Sequence, residues 1–326
     1  MQAPEFWRHG GWQAWALTPA ACGFAAAGRL RRALAKPIKA PVPVVCVGNL
    51  VAGGAGKTPV TLELARLLAT EGRRPHILTR GYGGSLAGPV RVDPTIHDFR
   101  AVGDEPLLLA EAAPTWVSRD RPAGAAAAAA GAELILMDDG LQNPSLHQDL
   151  ALMVVDAGYG FGNGRVIPAG PLRETRAQGL ARAQAVVLIG EDRNRLGAEL
   201  AHHLPVAHAR LVPDGNFEGW AGRRVLAFAG IGRPQKFFDS LTALGADLVA
   251  GIGFPDHHPY RSQDLAGLLA EAERAGAAAV TTAKDWVRLP PALKSRVETL
   301  PIRLAWDGPA DEKLIRDLVL PLLGAR

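Results

Sequence analysis

Short, largely apolar runs alternate along the chain with longer stretches in which apolar positions recur every three or four residues. The apolar runs are Val44 to Val47, Pro75 to Thr79, Glu133 to Met137, Ala151 to Val155 and Ala185 to Ile189. Helical periodicity covers Val60 to Ala69, Ala101 to Ala113 and the alanine-rich Pro122 to Gly131. This alternation predicts an α/β fold, a parallel sheet with helices on both faces and ligands at the carboxyl ends of its strands. A second, smaller α/β unit starts near Arg223, with strand Arg224 to Ala229, turn Gly230-Ile231-Gly232 and helix Pro234 to Leu244. Its later strands are expected at Asp247 to Ile252, Ala278 to Thr282 and Thr299 to Leu304.

The first strand runs into Gly48-Asn49-Leu50-Val51-Ala52-Gly53-Gly54-Ala55-Gly56-Lys57-Thr58-Pro59. A glycine-rich turn between a strand and a helix points backbone N–H groups at an anion, and the helix N-terminus adds its dipole. In such a phosphate-binding loop Lys57 reaches the β- and γ-phosphates and Thr58 holds Mg²⁺. The nucleotide-binding residues are therefore Gly53, Gly54, Ala55, Gly56, Lys57, Thr58 and Pro59, and the expected ligand is a nucleoside triphosphate, ATP, with Mg²⁺. Val51 stands where the general pattern has glycine, and Gly53-Gly54 compensates. The expected organisation is an N-terminal helix over residues 1–35, a P-loop unit over 36–205, a linker over 206–222 containing Pro213-Asp214-Gly215-Asn216, and the smaller unit over 223–326.

With 326 residues, 48% hydrophobic and 21% charged, the chain has room for both units to bury cores. Cys22 and Cys46 offer no metal spacing and no disulfide framework, and both are expected as buried thiols. The net charge of +4 favours anionic partners without choosing among them. Gly10 to Gly28 narrows the choice: it holds no charged residue, carries Trp12, Trp15, Leu17 and Phe24, and is followed by Arg29, Arg31, Arg32, Lys36 and Lys39. A helix of that length rises about 28 Å, near the bilayer core, but Gln13, Thr18, Pro19 and the glycines make it a poor spanning segment. An interfacial helix with tryptophan anchors and a basic collar on anionic lipid fits better. A signal peptide and a helix packed on its own domain are the rivals.

Further chemistry lies at strand ends. Asp138-Asp139 follows the apolar run Leu134 to Met137, where a P-loop protein needs a carboxylate to orient Mg²⁺; which of the two faces the metal stays open. Gly103-Asp104-Glu105-Pro106 sets two carboxylates at a helix start, read either as capping or with Asp104 as the base for an acceptor hydroxyl. Phe254-Pro255-Asp256-His257-His258-Pro259-Tyr260 gathers an acid, two imidazoles and a phenol, and one histidine is expected to partner a carboxylate or phosphate rather than zinc. Arg80, Arg121 and Arg173 are candidate phosphate clamps.

Taken in order, these motifs resemble the tetraacyldisaccharide 4′-kinase family, the lipid A 4′-kinases of Gram-negative bacteria. The resemblance is carried by the loop, by Thr79-Arg80-Gly81-Tyr82-Gly83, Val102-Gly103-Asp104-Glu105-Pro106 and Met137-Asp138-Asp139-Gly140-Leu141-Gln142. It continues through Gly160-Phe161-Gly162-Asn163-Gly164, Pro168-Ala169-Gly170-Pro171-Leu172-Arg173-Glu174, Gly230-Ile231-Gly232 and Phe254-Pro255-Asp256-His257-His258. It implies transfer of the γ-phosphoryl group of MgATP to the 4′-hydroxyl of tetraacyldisaccharide 1-phosphate, giving lipid IVA at the cytoplasmic face of the inner membrane. Asp104 would be the base, paired with His257 across the two units. Lys57 would serve catalysis, Thr58, Asp138, Asp139 and Glu105 the metal, and Arg80, Tyr82, Arg121, Gln142 and Arg173 the substrate or its phosphates. The expected partners are the lipid substrate and the inner membrane surface, with no nucleic acid and a monomeric chain. Asn143, Ala283 and Val51 depart from the family's usual His, Glu and small polar residue.

The competing class is a regulatory or metal-delivery GTPase. Guanine selection wants Asn or Thr, then Lys, any residue and Asp, and Thr282-Ala283-Lys284-Asp285 has its lysine one place late. A soluble small-molecule kinase would leave the tryptophan-rich N-terminus without a purpose.

Overall fold

The computed structural model describes residues 4–215 and 217–324; Asn216 of the expected linker and the residues at both extreme ends lie outside the described residues. Two sheets form. The strands are β1 Val44–Gly48, β2 Pro75–Thr79, β3 Val90–Arg91, β4 Thr115–Val117, β5 Leu134–Asp138, β6 Leu150–Asp156, β7 Ala185–Ile189, β8 Val206–Pro213, β9 Arg224–Ala229, β10 Asp247–Gly253, β11 Ala278–Thr282, β12 Glu298–Leu300 and β13 Ile302–Trp306. The larger sheet has nine strands in the order β13-β8-β7-β6-β1-β5-β2-β4-β3, parallel from β8 to β4 with antiparallel β13 and β3 at its edges. The smaller has four parallel strands in the order β10-β9-β11-β12. The α/β architecture expected from the sequence is present.

β1 is central because every residue in it is buried and both edges are paired, by β5 and β6. Its side chains alternate between two cores. Val45 and Val47 pack with Val60, Leu64 and Leu68 of helix Lys57–Thr70 on one face; Val44 and Cys46 pack with Ile135, Met137 and Met153 on the other. Each fully buried aliphatic side chain contributes roughly 1.5–3 kcal/mol, so the strand that precedes the glycine-rich loop is firmly anchored in the sheet.

Several elements differ from the sequence reading. The run Thr299 to Leu304 is interrupted by Pro301, which lacks an N–H for a ladder. Leu300 ends β12 in the small sheet, and Ile302 begins β13, which returns to the large one. Helix Pro309–Val319 follows it and buries Ile315 and Val319 in the large sheet's core. Residues 206–213, expected as linker, form β8, whose alternating exposure gave no continuous apolar signal. The helix expected over 101–113 is two helices, Phe99–Val102 and Asp104–Leu109, parted at Gly103 with φ +94°.

The N-terminal segment is three helices, Phe6–His9, Trp12–Ala16 and Thr18–Leu34: Gly10 and Gly11, at φ of +81° and +121°, part the first two, and Leu17 lies between the second and third. The long helix buries only Ala21 and Ala25 against the body, and two polar contacts add to them: Arg165 Nη1 donates to the Thr18 hydroxyl at 2.7 Å and Arg32 pairs with Glu174 at 3.3 Å. Cys22, expected buried, is exposed beside them, whereas Cys46 is buried. Trp7 donates its indole N–H to the Pro168 carbonyl at 3.0 Å, and the Arg165 guanidinium lies 4.3 Å from the Trp15 ring centroid. Among the described residues no helix is long and apolar enough to cross a membrane.

Gly103 sets the direction of the helix that begins with Asp104. A Cβ there would stand 2.5 Å from the Tyr82 carbonyl oxygen, at a φ only glycine adopts freely. Gly103→Ala is expected to destabilise by about 2–4 kcal/mol from strain and overpacking together. Gly83→Ala, also at positive φ but with open space around it, should cost less, and thermal unfolding of the two variants checks the difference.

Candidate functional site

The loop after β1 keeps its shape through glycine. Gly53 and Gly56 adopt φ of +122° and +90°, and a Cβ on Gly56 would stand 2.6 Å from Ile189 Cδ1. Gly56 caps helix Lys57–Thr70, whose first turn holds Lys57, Thr58 and Pro59 half-buried; Ala55 is buried and Gly53 and Gly54 are exposed. Lys57 Nζ donates to Asn49 Oδ1 at 3.3 Å and lies 3.7 Å from Asp139 Oδ1. The ammonium is therefore folded back onto the loop and aimed at the acidic pair.

Asp138 and Asp139 differ sharply. Asp138 is fully buried; its Oδ1 accepts from the Thr61 hydroxyl at 3.1 Å and its Oδ2 has no hydrogen-bond partner. Burial first, then the nearby charge of Glu105, pushes its pKa up to about 7. Asp139 turns into the left-handed region at φ +52° and accepts from Arg173 Nη1 at 2.7 Å. Burial raises its pKa, but Lys57 and Arg173 outweigh this and hold it below the usual carboxylate range. An unsatisfied buried carboxylate oxygen is costly, and a cation would satisfy it. Among the described residues no group of three or more metal-binding side chains forms.

Asp104 opens helix Asp104–Leu109 and is buried. Its Oδ2 meets His257 Nδ1 at 2.9 Å and Arg288 Nε at 3.5 Å, and its Oδ1 accepts from the Glu105 N–H at 2.9 Å. Burial raises its pKa, yet His257, Lys284 and Arg288 together hold it below the ordinary value. His257 sits at φ +57° with its N–H bonded to the Gly230 carbonyl, so the turn Gly230-Ile231-Gly232 aims the ring. Glu105 pairs with Lys284 at 3.1 Å. Two sheets thus contribute to one constellation.

The remaining expected residues divide. Arg173 and Gln142 gather beside Asp139, Arg173 through its contact with that carboxylate and Gln142 by donating to the Asn49 carbonyl and to Glu174 Oε1, both at 2.9 Å, and accepting from Arg173 at 3.3 Å. Arg121 is buried with its guanidinium on the Ser118 and Asp138 carbonyls, so it braces the strand end. Tyr82 is exposed, with its ring 5.5 Å from that of His257. Arg80 is exposed. The departures have local roles: Asn143 Oδ1 accepts from the N–H groups of Ser145 and Leu146, and Val51 bridges Leu172.

Sequence reasoning missed Lys284, Arg288, Asp156 and Arg233. Lys284 and Arg288 follow β11 and Asp156 ends β6, so the rule that placed Asp138 at the end of β5 would have found them. Arg288 is buried, bonded to Asp285 at 2.5 Å and to the Gly230 carbonyl at 2.9 Å.

Comparison with known proteins meets this geometry. The sequence pattern of the family described as tetraacyldisaccharide-1-P 4′-kinase, LpxK, matches residues 13–319. The chain belongs to this family. A tetraacyldisaccharide 4′-kinase of Rhodospirillum centenum is 55% identical over 100% of this chain and 98% of its own length. One from Paramagnetospirillum magneticum is 56% identical over 95% of this chain and 96% of its own. The crystal structure of LpxK from Aquifex aeolicus in complex with ATP is 27% identical, covers 95% of this chain and 99% of that one, and superposes with a TM-score of 0.76.

For this kinase the raised Asp138 has a testable sign. Its stabilising contribution is fully present below the unfolded carboxylate value of about 3.9 and is lost as pH rises through about 7. In protein free of nucleotide and metal, Asp138→Asn should raise the thermal midpoint at pH 8 and change it little at pH 5, as read by differential scanning fluorimetry.

Proposed function

We propose that this kinase transfers the γ-phosphoryl group of ATP to the 4′-hydroxyl of a tetraacyldisaccharide 1-phosphate, acting as a monomer with its site between the P-loop unit and the smaller unit. The observation that carries the assignment of roles is the Asp104–His257 contact at 2.9 Å, made between residues far apart in the chain and in different sheets. A carboxylate held below its usual range is ionised at neutral pH and is available to accept the acceptor hydroxyl's proton. His257 orients it and shares the charge that develops. The base is a modest contributor in phosphoryl transfer, because the loose transition state depends chiefly on alignment and charge neutralisation.

Those larger contributions fall to the loop, Lys57 and Arg173. Loop N–H groups and the helix N-terminus bind the phosphates. The Thr58 hydroxyl and the unsatisfied Asp138 Oδ2 would hold Mg²⁺, which when bound neutralises the nucleotide's phosphates. Asp139 keeps Lys57 and Arg173 together beside it. Tyr82, exposed beside His257, and Arg80 line the open side on which the lipid headgroup would enter.

The lipid acceptor gives the N-terminus its role. Trp12, Trp15 and Leu34 are 75%, 70% and 73% exposed, and Phe24 and Leu30 are exposed beside them. Large apolar side chains left in water would gain free energy in an apolar medium, at about 0.8 kcal/mol for each methyl or methylene buried. The segment lies on the inner membrane surface, with aromatic anchors at the interface and Arg29, Arg31, Lys36 and Lys39 on anionic lipid.

Three outcomes are expected. In micelles, wild type transfers label from γ-labelled ATP to tetraacyldisaccharide 1-phosphate, and Lys57→Ala and Asp104→Ala each lower turnover at least a hundredfold. Only Lys57→Ala should weaken nucleotide binding; equal loss of ATP affinity in both would remove Asp104 from the role of base. Trp12→Ser combined with Phe24→Ser should lower binding to anionic vesicles while activity in micelles is retained, and unchanged sedimentation with vesicles would refute the docking surface.

A further inference from the structure

Asp156 ends β6, next to β1 in the sheet, and is nearly buried. Its Oδ2 accepts from Arg233 Nη2 and Lys236 Nζ, both at 2.6 Å, and its Oδ1 accepts from the Tyr159 N–H at 3.0 Å. Both cations come from the smaller unit: Arg233 follows the turn Gly230-Ile231-Gly232, and Lys236 lies in the first turn of helix Pro234–Ala243. Two cations on one carboxylate leave a net positive charge beside the phosphate-binding loop. Burial raises the Asp156 pKa, and the hydrogen bonds and charges of Arg233 and Lys236 outweigh it.

The same Arg233 Nη2 also donates to the Gly54 carbonyl at 2.9 Å. Gly54 is exposed, and a Cβ on it would meet nothing within 4 Å, so packing does not fix the orientation of its peptide. The peptide that follows it is planar and trans, with its C=O and N–H antiparallel. Holding the Gly54 carbonyl toward Arg233 therefore turns the Ala55 N–H the opposite way, away from the arginine. A glycine-rich loop binds phosphate only when such N–H groups converge on the anion, and a freely rotating Gly54–Ala55 peptide would have to be ordered each time nucleotide bound.

We infer that Arg233 is a positioning residue for ATP, supplied by the smaller unit, that pre-orders the Gly54–Ala55 peptide of the phosphate-binding loop. Asp156 holds the guanidinium against the loop, and Lys236 shares the carboxylate without reaching the loop. Nucleotide affinity thus depends on a side chain outside the sheet that bears the loop, and the approach of the smaller unit that brings His257 to Asp104 also completes the nucleotide site. The inference rests on the reading of this loop as the ATP site.

Titration calorimetry of the full chain in detergent with ATP as the probe, beside steady-state kinetics, tests it. Arg233→Ala should weaken ATP binding about tenfold, raise KM for ATP correspondingly and leave KM for the lipid acceptor within twofold of wild type. Lys236→Ala, which removes a cation from Asp156 but no contact with the loop, should stay within about threefold of wild type for ATP. Unchanged ATP affinity in Arg233→Ala, an equal loss in Lys236→Ala, or an equal rise in both KM values would each overturn the inference. Lys57→Ala separates it from the reading beneath it: if that variant binds ATP as wild type does, the loop assignment itself fails, whereas a weakened Lys57→Ala beside an unaffected Arg233→Ala removes only the role given to Arg233.

Discussion

Asp104 is a buried carboxylate whose hydrogen-bond and ion-pair partners come from elsewhere in the chain, and the local arrangement depends on that pairing. A lone buried carboxylate would protonate or stay wet. His257 and Arg288 supply the compensation, and Arg288 is itself tied to Asp285 and to the carbonyl of Gly230. The small sheet is thereby held against the large one beside Asp104. Removing one partner of such a cluster is more damaging than its net worth suggests, because the others remain buried and unpaired.

Charge is handled the same way around the nucleotide loop. Lys57, Arg173 and Asp139 satisfy one another, Gln142 ties Arg173 to Glu174 and to the Asn49 carbonyl, and Asp156 gathers Arg233 and Lys236. Asp138 stands apart with an unsatisfied oxygen. A pre-ordered set of cations around one unsatisfied anion is the electrostatic pattern expected where a metal–triphosphate is to be received. The N-terminal helices follow an opposite logic, since they leave large apolar side chains in water and bury only alanines.

Much of this was legible in the sequence, for identifiable reasons. Buried parallel strands are continuous apolar runs, so β2, β7, β9 and β11 stand where the pattern puts them. The loop was legible because its geometry needs glycine at positions such as Gly53 and Gly56 and because Lys57 and Thr58 follow at fixed spacing. Asp104 was read as a candidate base from its own motif, its pairing with His257 came through the family resemblance, and their contact is a tertiary fact. Two strands toward the ends of the large sheet were not legible: β8 alternates in exposure, and the edge strand β3 is too short to carry a pattern.

The sequence by itself determined the local elements, the nucleotide loop and the acidic strand end after Met137, because each rests on periodicity, backbone freedom or a spacing within a dozen residues. Tertiary structure alone decided that Pro301 divides one apolar run between two sheets, that Cys22 faces outward, and that Asp138 and Asp139 part company, one orphaned and one clasped by Arg173. It also decided that Lys284, Arg288 and Arg233 converge on residues more than a hundred positions away. The reason is physical: hydrophobic pattern and glycine placement act along the chain, whereas which charges neutralise one another depends on where folding leaves them in space.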